Sequence, residues 1–322
     1  MITKLKIKNV TTKNNIFLAP MAGYTDVGFR HMCKKYGAGL TTTEMVSVKA
    51  LTYGSEKTME LLYTSSLEDV KCVQLFGHTP EDFVSVIKSG VVDKFDIIDI
   101  NMGCPAPKIY SNGDGSALLS NLPLASEIIK ACVNSTNKPI TVKFRSGIDE
   151  DHLVGVEFAR MCEKSGASLI TIHPRTRVQG YSGHSDWELV KQITKAVKIP
   201  VVVSGDIKTI EDVNYLTNEC GASGVMIGRN ALGKPEIFAE LLNNTKMSMT
   251  LSEKLDQIKE HIHELEKYYD EKYIYLNMKK HILAYLAGFN NATKLKEEIV
   301  RAESLAETID LIEKAIKNSG QN

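Results

Sequence analysis

Short apolar segments alternate with amphipathic ones from residue 16 to about residue 243, and no other feature of the sequence restricts the fold as strongly. The apolar segments have the length and the β-branched content of strands. The segments between them, such as PEDFVSVIKSG and DWELVKQITKAV, repeat apolar residues at helical spacing. Strands separated by helices pair in parallel, and eight such units predict a (β/α)8 TIM barrel. The eight predicted strands are IFLAP, LTTTE, KCVQLFG, DIIDIN, ITVKFR, LITIHP, PVVVSGD and GVMIGR.

An open doubly wound sheet is the alternative that this alternation leaves. Such a sheet would bind a dinucleotide through a Gly-x-Gly-x-x-Gly turn after its first strand. The corresponding segment here, LAPMAGYTD, lacks that spacing. The barrel is therefore the predicted fold.

The pattern changes after about residue 244, where helical periodicity continues without further β-rich segments. One predicted helix, within EKLDQIKEHIHELEKYY, has an apolar face of Leu255, Ile258, Ile262 and Leu265. The last segment is predicted to present a single apolar face made of Ile299, Ala302, Leu305, Ile309, Ile312 and Ile316. We therefore predict a barrel domain over residues 1–243 and an all-helical domain over residues 244–322, with residues 317–322 fraying.

Composition excludes several classes of protein. The 322 residues are 43% hydrophobic and 24% charged, which is typical of globular proteins, and the sequence contains no apolar run of membrane-spanning length. The N-terminal MITKLKIKNV lacks the apolar stretch of a signal peptide, so we predict a cytoplasmic protein. Six scattered cysteines form no Cys-x-x-Cys pair, which predicts neither disulfides nor a metal site. Net charge is zero, so a nucleic acid would have to bind a local patch of positive charge. Nothing in the sequence indicates an oligomer, so a monomer is the default expectation.

Polar residues mark the predicted carboxyl ends of the strands, where barrel enzymes have their active sites. Lys143 and Arg145 share one face of ITVKFR, and the apolar residues between them share the other. A lysine that points into a barrel is costly unless an anion or strong hydrogen bonds meet it. A salt bridge at the rim could satisfy one such lysine. A shared polar ligand better explains four successive strands that end in Gln74, Asn101, Lys143 and His173.

Two glycine turns follow the seventh and eighth predicted strands, in VSGDI and IGRNALGKP. Glycine lets backbone N–H groups approach a ligand closely, and a helix N-terminus favours an anion. Barrels commonly bind a phosphate at this pair of strands. The sequence therefore predicts a phosphate-bearing cofactor.

Cys104 lies in DINMGCPAPK, directly after a predicted strand. Its neighbours Gly103 and Pro105 are expected to fix the turn so that the sulfur faces the pocket. A free thiol has a pKa of about 8.5, so at neutral pH it is mostly protonated and can donate a proton. The alternative is a cysteine that the turn merely tolerates.

A set of these motifs resembles the tRNA-dihydrouridine synthases, flavin-dependent barrel enzymes that reduce specific uridines in tRNA, and the bacterial B-type branch most of all. The resemblance covers essentially the whole chain, including MKKHILAYL in the helical part. The elements INMGCP and HPRTR are specific to the family, whereas many flavin barrels share the glycine turns. The motifs are FLAPMAGYTDVGFR, VQLFG, DIIDINMGCPAPK, GDGSALL, VKFRSG, TIHPRTR, SGDI and GVMIGR.

The resemblance implies an FMN cofactor, with NADPH as reductant. Pro20 and Met21 would lie along the flavin ring, Gln74 and Lys143 at its pyrimidine edge, and His173 beside it. The residues implied for the phosphate and its turns are Ser204, Gly205, Asp206, Gly228 and Arg229. The family usually has asparagine in place of Ser204 and glycine in place of Pro174, which bears on cofactor affinity more than on activity.

The resemblance also implies the chemistry. Reduction of the uracil 5,6 double bond needs a hydride at carbon 6, from reduced flavin, and a proton at carbon 5, for which Cys104 is the expected donor. Asn101 would help to recognise the uracil, and Arg175 or Arg177 would steady the nucleotide. Lys143 would stabilise the negative charge of the reduced flavin.

The helical segment KYIYLNMKKH combines basic and aromatic residues, which suits phosphate contact and base stacking. Taken alone, such a cluster is more often a solvated helix face. The resemblance favours tRNA as the partner, bound by Lys279, Lys280 and His281. The rival functions are a flavin barrel that acts on a free pyrimidine such as dihydroorotate, and a non-catalytic RNA-binding protein that retains the barrel.

Overall fold

The computed structural model describes residues 1–289 and 292–319. A short antiparallel hairpin comes first, made of β1 (Leu5–Ile7) and β2 (Val10–Thr12). Eight parallel strands then form one sheet in the order β3-β10-β9-β8-β7-β6-β5-β4. A bridge between Phe17 and Leu40 closes this sheet into a barrel, which confirms the predicted fold. The barrel strands are β3 (Ile16–Leu18), β4 (Thr41–Ser47), β5 (Lys71–Phe76), β6 (Ile97–Met102), β7 (Ile140–Arg145), β8 (Leu169–His173), β9 (Val201–Ser204) and β10 (Gly224–Ile227).

Helices connect the strands and cover the outside of the barrel. They are α1 (Val27–Lys35), α2 (Val48–Thr52), α3 (Glu56–Met59), α4 (Pro80–Lys88), α5 (Pro107–Ser111), α6 (Leu122–Ser135), α7 (Gly155–Lys164), α8 (Trp187–Ala196), α9 (Ile210–Asn214) and α10 (Ile237–Asn243). Short 3₁₀ turns lie at Glu60–Leu62, Gly115–Ser120 and Arg229–Ala231, and a π-helical turn lies at Tyr215–Glu219.

Alternate residues of the strands face two different environments. Ile98 and Ile100 of β6, and Val142 and Phe144 of β7, are fully buried against the surrounding helices. Burying each such side chain contributes about 1.5–3 kcal/mol before the entropy cost of folding. The polar residues between them point into the barrel, as the period-two pattern predicts.

The hairpin covers the amino-terminal end of the barrel. Leu5 and Ile7 of β1 pack with residues at the beginnings of the strands, among them Phe17, Ile97 and Leu169. All five side chains are less than a tenth exposed. The amino-terminal end of the barrel is thus filled with apolar side chains, and the polar interior residues lie toward the carboxyl ends of the strands.

Four further helices follow the barrel: α11 (Leu251–Leu265), α12 (Glu271–Tyr285), α13 (Ala292–Arg301) and α14 (Leu305–Ser319). The predicted apolar face of α11 is confirmed, because Leu255, Ile258, Ile262 and Leu265 are buried in a second core. The predicted boundary at residues 243/244 falls directly after α10. No described helix could span a membrane.

The single helix predicted near the C-terminus is two helices, but the predicted apolar residues still pack in or against the second core; they are Ile299, Leu305, Ile309, Ile312 and Ile316. Helix α13 ends at Arg301. A new helix, α14, begins after Ser304, whose hydroxyl caps it by accepting a hydrogen bond from the Glu307 N–H. Helix α14 extends to Ser319, so residues 317–319 are helical. The rest of the predicted frayed end, residues 320–322, lies outside the described residues.

Candidate active site

A cavity of ≈ 340 Å³ opens at the carboxyl ends of the strands. It has the position that the sequence predicts for the site and a size suited to a small ligand. Its lining includes nine of the ten predicted cofactor residues, and Gln74 is the exception. The nine are Pro20, Met21, Lys143, His173, Ser204, Gly205, Asp206, Gly228 and Arg229.

Gln74 belongs to a hydrogen-bonded network inside the barrel. Its amide donates to Asp99 at 2.7 Å, and the Asn101 amide donates to its carbonyl at 2.8 Å. The Thr141 hydroxyl donates to the other oxygen of Asp99 at 2.5 Å. Burial raises the pKa of Asp99, and the hydrogen bonds from Gln74 and Thr141 oppose that rise. The parallel register of β5, β6 and β7 places these residues side by side.

Lys143 carries an ammonium group without a hydrogen-bond or ion-pair partner in the described part of the chain. Burial, followed by the nearby Arg145, lowers its pKa to about 8. An anion in the cavity would reverse that effect, because it would stabilise the charged form. The cavity is thus prepared for a ligand with negative charge near Lys143.

His173 is a neutral imidazole at the wall of the cavity. Burial and the surrounding positive charges lower its pKa to about 2. Its Nε2 atom lies 3.4 Å from Nη1 of Arg175, which donates to it. The cations that act on His173 are Lys143, Arg145, Arg175 and Arg229. This concentration of positive charge favours a phosphate or another anion.

The turn after β9 brings backbone unusually close to the site. Gly205 has φ +118°, and a Cβ there would lie 2.4 Å from the Ser185 hydroxyl and 2.9 Å from the His173 ring. The Asn230 amide donates to the Ile207 carbonyl at 2.7 Å, which joins this turn to the one after β10. The positive φ and these two contacts leave room only for glycine at position 205. A glycine there is consistent with the predicted phosphate turn.

Arg175 does not face an incoming nucleotide, and the prediction of that role is wrong. The side chain is 2% exposed, and its Nη2 donates to both carboxylate oxygens of Asp206, at 2.9 and 2.8 Å. It also donates to the carbonyls of Ser182 and Gly183. Arg175 therefore ties the loop after β8 to the turn after β9. The Asp206 carboxylate is occupied by Arg175 and by the N–H of Ser185.

Arg177 remains a candidate for nucleotide contact. Its guanidinium stacks on the Tyr110 ring at 4.0 Å, beside the segment that follows Cys104. Its Nε is buried and has no hydrogen-bond partner among the described residues. Because that atom is shielded from solvent, a contact to a ligand would come from the other guanidinium nitrogens of this half-buried side chain.

Cys104 is partly exposed, in a turn fixed by hydrogen bonds. The Asn101 carbonyl accepts from the N–H groups of Gly103 and Cys104, at 3.1 and 2.9 Å. A Cβ at Gly103 would lie 3.1 Å from the backbone of Phe144, so the turn packs directly on β7. Burial raises the pKa of the Cys104 thiol, which keeps it protonated at neutral pH. Since both polar groups of Asn101 are engaged, that side chain also shapes the turn.

Two residues at the site have no role in the sequence prediction. Arg145 donates to the Gly103 carbonyl at 3.0 Å and to the Thr176 and Gly180 carbonyls, so it supports the Cys104 turn. Its place on the Lys143 face of β7 was the available signal. Tyr181 lines the cavity and stacks under Arg229 at 4.2 Å. It lies in a loop, where no periodicity could point to it.

The predicted RNA-binding residues of α12 have three different environments. Lys280 extends over the barrel mouth, with Nζ 5.5 Å from the Tyr24 ring. Lys279 donates to the Ala302 and Val300 carbonyls at the end of α13. His281 is fully buried and hydrogen-bonded to Asp26. The prediction that His281 contacts RNA is therefore wrong, because no part of it reaches the surface.

The architecture defines the class of protein: a TIM barrel with a cationic cavity at the carboxyl ends of its strands, followed by a helical bundle. The model of the dihydrouridine synthase (Dus) family matches residues 17–321. This chain therefore belongs to the dihydrouridine synthase family, which confirms the predicted resemblance.

Curated relatives agree with this assignment. A probable tRNA-dihydrouridine synthase of Rickettsia conorii is 35% identical over 300 residues, which cover 91% of this chain and 90% of the relative. The tRNA-dihydrouridine synthase B of Vibrio cholerae is 34% identical over 314 residues, covering 96% and 98% of the two chains.

Solved structures show the same fold at much lower sequence identity. A variant of NCR from Zymomonas mobilis has a TM-score of 0.57 at 17% identity, over 78% of this chain and 94% of that one. Histamine dehydrogenase from Rhizobium sp. 4-9 has a TM-score of 0.59 at 13% identity, over 81% of this chain and 50% of that one. At these identities the likeness concerns the barrel fold alone.

Proposed function

We propose that this protein is a tRNA-dihydrouridine synthase that reduces the 5,6 double bond of specific uridines, with FMN as cofactor, NADPH as reductant and Cys104 as proton donor. Family membership supports the reaction. The observation that carries the site is a cationic cavity, with an unpartnered Lys143 ammonium, next to a protonated thiol.

The cavity suits FMN in both of its chemical parts. Lys143 would meet the polar edge of the ring, where negative charge collects on reduction, with Gln74 behind it in the network. The turns of Gly205 and Gly228, with Arg229 beside them, would hold the phosphate. When bound, FMN supplies the hydride that adds to carbon 6 of the uracil.

Cys104 would deliver the proton to carbon 5. Its raised pKa keeps the proton on sulfur until the base needs it. Donation leaves a thiolate, and the positive charges of Arg145 and Lys143 lie close enough to stabilise it. A proton from solvent then restores the thiol. The Cys104 N–H donates to the Asn101 carbonyl, and the Ser116 hydroxyl donates to the Cys104 carbonyl, so the backbone that carries the sulfur is held in place throughout.

A uracil within folded RNA has to leave its stack to reach this cavity, which costs a few kcal/mol that contacts to the backbone must offset. Lys280, over the mouth, and Arg177, beside the Cys104 segment, are the side chains best placed for such contacts. Because net charge is zero, the grip on RNA would depend on these local cations.

Substrate class is tested directly by comparing substrates. The purified protein is incubated with NADPH and either tRNA that lacks dihydrouridine, free uridine or orotate, the oxidised form of dihydroorotate. We expect dihydrouridine to form in the tRNA and no turnover of the two small molecules. Turnover of a small pyrimidine alone would replace the proposal with the free-pyrimidine oxidoreductase. A protein that shows no flavin absorbance, even after FMN is added, would point to a non-catalytic RNA-binding protein.

A further inference from the structure

One buried polar cluster connects the barrel to the helical bundle. It consists of Asp26, directly before α1, His261 on α11 and His281 on α12 (the Asp26 cluster). Oδ1 of Asp26 lies 3.1 Å from Nε2 of His261, and Oδ2 lies 2.9 Å from Nε2 of His281. Asp26 is 8% exposed and both imidazoles are 0% exposed. Burying three such groups is costly unless they satisfy one another.

The surroundings fix the protonation of the Asp26 cluster. The Tyr285 hydroxyl lies 3.3 Å from Nδ1 of His261, and Nε2 of the same ring faces Asp26. Because an ionised carboxylate can only accept hydrogen bonds, the Nε2 that faces it is an N–H donor. Burial lowers the pKa of His281, which leaves this ring neutral. Burial opposes the charge of Asp26, but the two imidazoles outweigh it and lower that pKa well below its usual value. One carboxylate thus accepts two N–H donors.

The same three groups could in principle ligate a metal ion, but the outer contacts oppose it. Ligation through Nε2 would put the proton of His281 on Nδ1, which is buried and has no partner in the part of the chain that the structure describes. Imidazoles bound to a metal normally donate that N–H to an acceptor. The hydrogen-bonded arrangement leaves only an unused acceptor there, which is the smaller cost.

Both ends of the Asp26 cluster lead to the mouth of the cavity. On the barrel side, Asp26 follows a tight turn in which the N–H groups of Tyr24 and Thr25 donate to the Met21 carbonyl, and Met21 lines the cavity. On the helical side, His281 follows Lys280, whose ammonium lies over Tyr24. The ammonium of Lys280 also donates to Oδ1 of Asn277, one turn earlier on α12, at 3.4 Å, and the apolar face of α12 packs in the second core. The hydrogen bond from His281 to Asp26 is the polar contact next to Lys280 that joins α12 to the barrel.

We propose that Asp26 is a positioning residue for the RNA substrate: by holding His261 and His281, it fixes Lys280 over the cavity mouth, where the ammonium contacts an RNA phosphate. This inference rests on the proposed function for its substrate, and on the described contacts for its geometry. It concerns RNA binding and leaves the chemistry at Cys104 untouched.

The first test is Asp26→Asn. Asparagine still caps α1, because its carbonyl can accept from the Phe29 N–H as Asp26 does at 2.8 Å. Its NH₂ group, however, meets an imidazole N–H and loses one of the two hydrogen bonds. We expect the Kd and KM for tRNA to rise about tenfold, as the loss of a hydrogen bond to a charged group implies. The kcat at saturating tRNA and the rate of flavin reduction by NADPH stay within about twofold.

Asp270→Asn is the matched control. Asp270 caps α12 through the Tyr273 N–H at 2.7 Å, is exposed, and contacts no histidine. We expect its Kd for tRNA to equal that of the unmodified protein. Equal losses in both variants, or a fall in kcat at unchanged KM for Asp26→Asn, would refute the positioning role.

A second pair of variants tests the same hydrogen bond from the His281 side, so that the result does not depend on whether Asp26→Asn folds. His281→Gln retains an N–H donor that can reach Asp26 and should bind tRNA almost normally. His281→Leu lacks the donor and should weaken binding about tenfold. If the two variants bind tRNA equally, the hydrogen bond does not position the helix, and the inference fails.

Two further outcomes separate this inference from the proposed function. A protein whose affinity for tRNA falls in Asp26→Asn but which forms no dihydrouridine would refute the function and retain the inference. A protein that binds no tRNA would refute the inference. Stoichiometric zinc or nickel in the purified protein, lost in Asp26→Asn, would replace the hydrogen-bonded cluster with a metal site.

Discussion

At the residue scale, the proposed chemistry requires a thiol that stays protonated although it lies among cations. Lys143 and Arg145 favour the thiolate of Cys104, whereas burial opposes it and has the larger effect. A nucleophilic cysteine needs the opposite balance, with its pKa lowered. The environment of Cys104 therefore suits an acid and not a nucleophile.

Cys104→Ala should separate the two halves of the reaction. Removing the proton donor should lower dihydrouridine formation by about 10²–10⁴-fold, the usual contribution of a general acid. Flavin reduction by NADPH should be unchanged, because it needs no proton from this sulfur. Stopped-flow absorbance measures flavin reduction, and digestion of the tRNA with mass spectrometry measures the product.

Cys220→Ala is the control for Cys104→Ala. Cys220 is 1% exposed in the core, directly after the π-helical turn, so its loss removes a similar volume away from the cavity. Normal product formation by both variants would show that Cys104 is not the acid.

At the element scale, the turn after β9 connects the strand to the next helix and, in the proposed function, also binds the cofactor. Gly205 combines a positive φ with contacts that exclude a side chain. Asp206, the next residue, also has a positive φ, of 63°, and its carboxylate holds Arg175. The turn is thus kept in an unusual conformation by neighbours on two loops.

Gly205→Ala should weaken cofactor binding more than it weakens the fold. Its Cβ would displace Ser185 or His173, so we expect the Kd for FMN to rise at least about tenfold. Gly54→Ala is the control, because Gly54 also has a positive φ, of 68°, but its two chain neighbours aside, no described residue has an atom within 4 Å of its Cβ position. Fluorescence titration of the cofactor-free protein with FMN measures both. Similar affinities in the two variants would mean that only backbone strain matters.

At the scale of the whole molecule, the proposed RNA binding would depend on a few cations in a protein of zero net charge. Lys280 comes from the helical bundle and lies over the barrel, so both parts of the chain would contribute to the proposed RNA surface. Such a surface has little long-range attraction for tRNA. Its contacts should therefore be few and individually detectable.

Lys280→Gln should change the salt dependence of tRNA binding. Loss of one phosphate contact should reduce the slope of log Kd against log salt by about 1. Lys6→Gln, at the exposed position of the hairpin on the opposite end of the barrel, should leave the slope unchanged. Titrations at several salt concentrations give both slopes. Parallel lines for all proteins would remove Lys280 from the RNA surface.

The sequence predicts the barrel and most of its cavity because both follow from local patterns. Period-two alternation identifies which side of β7 holds Lys143, and glycine turns mark the ends of β9 and β10. Local patterns do not identify contacts between residues that are far apart in the sequence. Arg175 pairs with Asp206, 31 residues away, and this ion pair takes up the guanidinium that was predicted to contact the nucleotide. His281 lies on a basic segment, but it is buried and hydrogen-bonded to the carboxylate of Asp26, 255 residues away.

The hairpin at the start of the chain closes the far end of the barrel. Because Leu5 and Ile7 fill that end with hydrocarbon, nicotinamide and nucleic acid would both approach the flavin from the carboxyl ends of the strands in the proposed reaction. The two substrates would then have to bind in turn. The flavin would store two electrons between them, so RNA would reach a cofactor that is already reduced.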